Sequence, residues 1–446
     1  MGWYDLYRQK LAPADEAVKL VQSGDWVDYG NFAGQVVDLD RALARRRDEL
    51  SDVKVRAATR VAGVPEIVRV DPEGKHFIYN NWHLSGIDRS LSDQGLCYYI
   101  PILFRDVPRY YRQYIDVDVA MIAVTPMDRH GFFNFGLQNA STRATLEKAK
   151  KIILEVNENM PRVPGGREEC VHITEVDCVV ESSNWPIPTA PLLKSAEIDQ
   201  KIAQLVVSEI EDGSCIQLGI GSMPNAIGEL IARSDLKDLG VHTEMFVDAY
   251  MDMYSAGRIT GRRKNIDTGK MVFTFCMGTK ELYDFVDENP AIASYPVNYT
   301  NRIQVIGEND NVVSINGAIE MDLFGQICAE SSGTRQISGT GGQLDFFVGA
   351  FLSRGGKAFC CFSSTFADKK GKITSRIKPL LSPGAIVTTP RSVAMYIVTE
   401  YGMVNLKGKS TWERAEDLIS IAHPAFREEL IAEAEKIGIW RRSNRC

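Results

Sequence analysis

Four short stretches of the sequence combine residue types and spacings that can do chemistry. The first is Gly219-Ile220-Gly221-Ser222-Met223-Pro224-Asn225, which follows the apolar Ile216-Gln217-Leu218 and opens a helical pattern. Glycines there let backbone N–H groups approach a ligand closely, Ser222 is expected to cap the helix, and a helix N-terminus offers positive potential to an anion. It is not a dinucleotide fingerprint, since Pro224 stands where a third glycine is needed, and no Lys-Ser/Thr pair follows to make a nucleotidase phosphate loop. The second is Val241-His242-Thr243-Glu244-Met245-Phe246-Val247-Asp248, in which Glu244 interrupts an apolar strand end. A buried carboxylate must be paired, protonated, or placed where its charge is used, so a satisfied structural glutamate is the plain alternative. The third, Gln336–Phe346, holds Gly339, Gly341 and Gly342 beside polar side chains and exposes backbone N–H groups of the kind an oxyanion needs. Asn316, in Ser314-Ile315-Asn316-Gly317-Ala318-Ile319, ends another apolar run with an amide that can donate to the same site. Each of the four, taken alone, has a structural reading: a tight turn at 219–225, a satisfied glutamate at 244, a surface loop at 336–346 and a turn asparagine at 316.

Other chemistry is less supported. His242 and Glu244 share a strand face without the geometry of nucleophile and base, and neither a Ser-His-Asp set nor a Gly-x-Ser-x-Gly elbow is present. Nine cysteines without a Cys-x-x-Cys pair read as reduced core thiols rather than a disulfide frame or zinc site; Cys360 and Cys361 point to opposite faces of a strand. Gly261-Arg262-Arg263-Lys264 reads as a solvated loop, with phosphate contact the minority reading.

The elements that must position these groups are set by an internal repeat. One copy starts at Asp15 and the other near Asp199, each reading helix, glycine, strand, Gly-rich loop, helix, strand. The turn glycines 24 and 213, the strand-end glycines 30 and 219, and the leucines 50 and 239 are all 189 residues apart. That register sets Glu244 opposite Val55. Between the copies, the proline-rich Glu181–Pro191 breaks both helix and strand periodicity and marks a linker. Apolar, β-branched runs at 119–124, 152–156, 178–180, 272–276, 312–315, 358–362, 386–388 and 396–398 alternate with helical stretches, which predicts mainly parallel sheets covered on both faces. The expected architecture is α/β: two related open α/β domains, 1–183 and 196–446, joined by a linker at 184–195, with the active site between them.

Composition bounds the function. The chain has 446 residues, 44% hydrophobic and 24% charged, with net charge −7, which disfavours non-specific nucleic-acid binding and makes a small molecule the default partner. No apolar run reaches the roughly 20 residues of a membrane span, and no basic-then-apolar leader opens the chain, so a cytoplasmic protein is expected.

Taken together, LGIGSMPNAI at 218–227, HTEM at 242–245, QISGTGGQLDF at 336–346, VTEYG at 398–402 and RAEDLISIAHPAFREEL at 414–430 resemble the class I CoA-transferases, in the branch acting on butyryl and 4-hydroxybutyryl thioesters. The likeness runs the length of the chain, from ADEAVKLVQSGDWV onward. It implies that Glu244 is the catalytic glutamate, becoming a glutamyl-CoA thioester in a ping-pong cycle. It implies that Gly219, Ile220, Gly221, Ser222, Met223, Ile319 and Gly342 contact CoA, and that Asn316 and Gly342 face the reacting carbonyl. The stretch holding Phe32, Gly34 and Gln35 sits at the sister position of the CoA loop, and the resemblance makes it the acyl pocket. Coenzyme A is then substrate and covalent intermediate, with no permanently bound cofactor or metal, short carboxylates are the other partners, and a homo-oligomer is expected. Butyryl-CoA with acetate is the leading pair. A propionyl- or 4-hydroxybutyryl-CoA transferase, an acyl-CoA hydrolase on the same fold, and a non-catalytic ligand-binding regulator are the alternatives.

Overall fold

The computed structural model describes residues 2–190, 194–219 and 221–441. The chain forms two compact units: Met1–Pro191 with Glu244–Phe246 and Val272–Thr300, and Leu192–Thr243 with Val247–Met271 and Asn301–Cys446.

The first unit is built on an all-parallel sheet in the order Tyr98–Tyr99, Phe77–Asn81, Val53–Ala58, Trp26–Asn31, Val119–Val124, Lys151–Val156, Cys178–Glu181. Strand 119–124 shows why the apolar runs are continuous. Val119 and Met121 pack into one cluster with Val27, Tyr29 and Leu39, whereas Ala120, Ile122 and Val124 pack into another with Phe133 and Leu154. Both faces are covered, so alternation gives way to an unbroken apolar strand. The order reverses direction at Trp26–Asn31 and Val119–Val124, and Phe32–Gly34 follows directly at the carboxyl end of the former. Such a switch point is where open α/β sheets leave a crevice.

In the second unit the strands run Gly240–His242, Cys215–Leu218, Val312–Gly317, Lys357–Cys361, Tyr396–Thr399, Gly402–Asn405, parallel except for the last. Its switch point lies between Cys215–Leu218 and Val312–Gly317, so Gly219 and Asn316 emerge side by side. Cys215, Val312, Ala358, Phe346 and Ile397 share the core.

Three local expectations are corrected. Residues 386–388 form no strand, and Ile386 and Val387 are exposed in a loop. Lys264 is not solvated: it is 6% exposed, with Nζ donating to the carbonyls of Val241 (3.0 Å) and Lys270 (2.8 Å), while Arg262 and Arg263 pair with Asp238. The third concerns the repeat. Trp26 pairs with Lys54 and Val27 with Val55, but Cys215 pairs with Gly240 and Ile216 with Val241. The connection into the second strand is therefore three residues shorter in the second copy, the counterpart of Val55 is Val241, and Glu244 corresponds to Ala58 at the strand's carboxyl end.

Candidate active site

In the second unit, Gly219 donates its N–H to the Ile315 carbonyl at 2.9 Å, which brings the loop against the next strand; a Cβ on Gly219 would lie 3.6 Å from Asn316 Oδ1. Gly221 has φ +117°, a region that essentially only glycine occupies, and it ends the loop as the N-cap of the helix Ser222–Arg233. Ser222, expected as the cap, is instead the first helical residue, and among the described residues no side chain caps this helix. Pro224 has no N–H and the Asn225 N–H bonds Gly221 O at 3.4 Å, so the N–H groups of Ser222 and Met223 are the ones left for a ligand or solvent. Ser222 and Met223 are half-buried there, and Ile220 lies outside the described residues.

The sister helix in the first unit is finished differently. Buried Glu155 accepts hydrogen bonds from the N–H groups of Val37 (3.1 Å), Asp38 (3.3 Å) and Leu39 (2.8 Å) at the start of helix Asp38–Arg45, and from Trp185 Nε1 at 2.6 Å. Burial pushes the Glu155 carboxyl upward, and these donors oppose that shift. One copy of the repeat has filled its anion-attracting helix end with its own carboxylate, and the other has not.

Asn316 is held rather than free. Its Nδ2 donates to Gln217 Oε1 (2.9 Å) and Ser314 Oγ (3.0 Å), and Ser314 Oγ donates to Gln217 Oε1 at 2.7 Å. Ser314 and Asn316 are two apart on a strand and share a face, a signal present in the sequence. Gln217 enters only through the parallel register Gln217↔Ser314, which no periodicity reveals. Ile319 is half-buried and donates its N–H to Cys328 O at 2.8 Å. Gly342 is the N-cap of helix Gln343–Leu352. The next residue, Gln343, ties that helix to the strand end by donating Nε2 to Gly317 O (2.6 Å) while Oε1 accepts from Thr389 Oγ1 (2.9 Å).

In the first unit, Glu244 is half-buried, and its carbonyl accepts from the N–H groups of Thr274 (3.0 Å) and Phe275 (3.3 Å). Met245 then pairs with Phe275 in a short parallel ladder. The Phe275 ring stacks on Phe32 with centroids 3.7 Å apart and planes within 9°, and Phe104 meets both edge-on. Phe32 therefore lies one ring away from the backbone that carries Glu244. Its φ of +46° is unusual for a bulky residue, strain of the kind that tertiary packing must hold in place. Gly34 has no room for a side chain: a Cβ would collide with the Gln138 carboxamide. Gln138 in turn forms an isolated bridge with Phe275. Gln138 and Phe275 were not singled out by sequence reasoning, because their relation to Phe32 is purely tertiary. Gln35 donates Nε2 to Ala58 O (2.6 Å) and accepts from Arg60 Nη1 (3.3 Å), so its amide is spent on orienting buried Arg60.

Among the described residues no cluster of His, Cys, Asp and Glu can hold a metal ion, and no helix is long and apolar enough to cross a membrane.

Residues 1–191 match the model of the acetyl-CoA hydrolase/transferase N-terminal domain, and residues 278–434 that of the C-terminal domain. The chain is 54% identical to a butyryl-CoA:acetate CoA-transferase of Anaerostipes caccae over the full length of both. Among solved structures it is similar to RipA from Yersinia pestis (TM-score 0.89, 35% identity, 98% of this chain and 100% of that one). It is also similar to a 4-hydroxybutyrate CoA-transferase from Porphyromonas gingivalis (TM-score 0.79, 34% identity, the same coverage).

Proposed function

We propose that this chain, which belongs to the acetyl-CoA hydrolase/transferase family and is a CoA-transferase, exchanges CoA between butyryl-CoA and acetate through a covalent adduct on Glu244. The observation that carries the substrate pair is the full-length 54% identity to a relative of that name. The Glu244 carboxylate attacks the thioester carbonyl and expels CoA thiolate, leaving a butyryl-glutamyl anhydride. The thiolate attacks the glutamyl carbonyl of that anhydride and releases butyrate, so the enzyme holds a glutamyl-CoA thioester. Acetate then attacks this thioester, and the two steps run in reverse to give acetyl-CoA and free Glu244. An ionised carboxylate needs no base to activate it. Because thioester energy is conserved at every step, the cycle balances without nucleotide hydrolysis.

Each tetrahedral intermediate carries an oxyanion. The Gly342 N–H and one Asn316 Nδ2 hydrogen are the donors of this reading, each worth roughly 3 kcal/mol in the transition state. Asn316 must hand over one hydrogen now given to Ser314 or Gln217. Gly219, Ile220, Gly221, Ser222 and Met223 with Ile319 hold CoA, the uncapped helix end supplying N–H groups. Phe32 and Gly34 wall the acyl pocket, where an apolar ring favours an unsubstituted short chain; one carbon is worth only about 1–3 kcal/mol, so selectivity among short acids is modest.

The decisive experiment traps the adduct. Enzyme treated with butyryl-CoA and no acceptor acid, then borohydride, is expected to lose activity and to carry a hydroxymethyl group in place of the carboxyl in the peptide containing His242-Thr243-Glu244-Met245. Label on another residue, or inactivation that does not need butyryl-CoA, overturns the assignment.

A further inference from the structure

We propose that the hairpin formed by strands Thr365–Ala367 and Ile373–Ser375 seats the 3′-phosphoadenosine diphosphate end of coenzyme A. This rests on the CoA-transferase reading and extends it to the half of the substrate farthest from the reacting thiol.

The tip Asp368-Lys369-Lys370-Gly371-Lys372 is exposed throughout. The one carboxylate in it is turned inward: Asp368 Oδ1 accepts from the N–H groups of Lys370 (2.8 Å) and Lys372 (3.0 Å), closing the turn. Among the described residues, neither Asp368 nor any other acid forms an ion pair with Lys369, Lys370 or Lys372, whereas exposed lysines elsewhere, such as Lys19, Lys150 and Lys280, have one. Three unneutralised ammonium groups thus stand together on a chain of net charge −7. Flexible lysines that repel one another gain nothing for folding, and the arrangement makes sense toward an anion with several charges. An acidic protein repels such a substrate at long range, and a local cationic patch reverses that near the site.

Two further features fit a nucleotide better than a simple phosphate. Phe366, on the strand leading to the tip, is 55% exposed. A solvated aromatic ring beside cations offers a stacking face for a purine. The base of the hairpin also adjoins the segment that holds Ile319: Arg376 donates Nη1 to Ala318 O at 3.4 Å, and its own carbonyl accepts from Met321 N at 2.9 Å, bracketing Ile319. The nearby Glu400 is engaged with the N–H (2.8 Å) and Oγ (2.6 Å) of Ser364 and leaves the tip free of acid. The hairpin therefore projects from the segment assigned to CoA toward solvent, as the nucleotide of a buried thioester must. The lysines pair with the phosphates, and adenine lies on Phe366.

The test compares two donors. In the triple variant Lys369→Glu, Lys370→Glu, Lys372→Glu, KM for butyryl-CoA is expected to rise at least tenfold and to lose its dependence on salt. KM and kcat for S-butyryl-pantetheine, which lacks the nucleotide, and KM for acetate should stay within twofold. Phe366→Leu should raise KM for butyryl-CoA alone by several-fold. Adenosine 3′,5′-bisphosphate is expected to bind the full-length wild type and to bind the triple variant at least tenfold more weakly, a readout that holds whatever the acid substrate proves to be. Equal KM for butyryl-CoA in the folded triple variant and wild type, or an equal rise with both donors, overturns the nucleotide site. A wild type inactive with butyryl-CoA but binding the bisphosphate at the hairpin would sink the substrate reading and leave this one standing.

Discussion

At the scale of single residues, the chemistry of the reading depends on one carboxylate and on how two donors are aimed. Glu244→Asp withdraws the nucleophile by one methylene, and misplacement by about 1 Å costs on the order of 100-fold, so kcat should fall by that much with KM for the acyl-CoA little changed. Asn316 sits in a network that a sequence shows only by halves. On the proposed role of Asn316, Asn316→Asp exchanges an N–H donor to the oxyanion for a carboxylate, and steady-state kinetics should show kcat reduced about 100- to 1000-fold with butyryl-CoA affinity retained. Ser314→Ala removes the competing acceptor for Nδ2, so kcat in that variant should match or exceed wild type. A large loss there would mean that Ser314, rather than the oxyanion, sets the orientation of Asn316.

At the scale of elements, glycine and histidine positions carry the expectations. Gly221 turns the loop into the helix at φ +117°, where a side chain costs on the order of 1–3 kcal/mol. Gly221→Ala should therefore weaken CoA binding, measured by titration with free CoA, and lower Tm. Space is not the cause, since a Cβ there meets nothing within 4 Å. The segment after strand Phe77–Asn81 carries His83, whose ring is held down to about 4 by burial, with the Arg89 guanidinium adding to the effect. Its folded pKa lies below the ordinary 6.5, so the unfolded chain binds the extra proton between those values. The stability that neutral His83 provides is complete above about pH 6.5 and is lost as pH falls toward 4. Thermal melts of His83→Gln should show a flatter dependence of Tm on pH across that window than the wild type; an identical slope would remove His83 from the acid response.

For the whole molecule, covalent transfer requires that the first acid leave before the second enters. Initial-rate plots against butyryl-CoA at several fixed acetate concentrations are then expected to be parallel, and intersecting lines would demand a ternary complex in place of the Glu244 adduct. How much of this was legible beforehand follows from which interactions are local. Apolar runs such as 119–124 and 152–156 announced the buried parallel strands Val119–Val124 and Lys151–Val156, because covering both faces of a sheet demands unbroken hydrophobicity. The repeated glycines marked two copies of one α/β plan, and the loop at 219–225 and Glu244 stood out because polar or flexible residues at apolar strand ends need a reason. The run at 386–388 misled for the converse reason: β-branched residues suit a strand, but here the backbone pairing is an isolated bridge at Thr389 against Ile327, and Ile386 and Val387 stay exposed in a loop. Register was also beyond reach. A three-residue shortening between helix and strand moved the counterpart of Glu244 from Val55 to Ala58, and only backbone pairing measures that. The same holds for Gln217 beside Asn316, for Phe275 stacked on Phe32, and for Glu155 closing one helix end while its sister remains uncapped. Sequence alone determined the kind of layers, the repeat and the residues with chemical capacity, since propensity and periodicity act within a few residues along the chain. Tertiary structure decided which of those residues meet, because a hydrogen bond or stacked ring forms between strands whose separation in sequence carries no pattern.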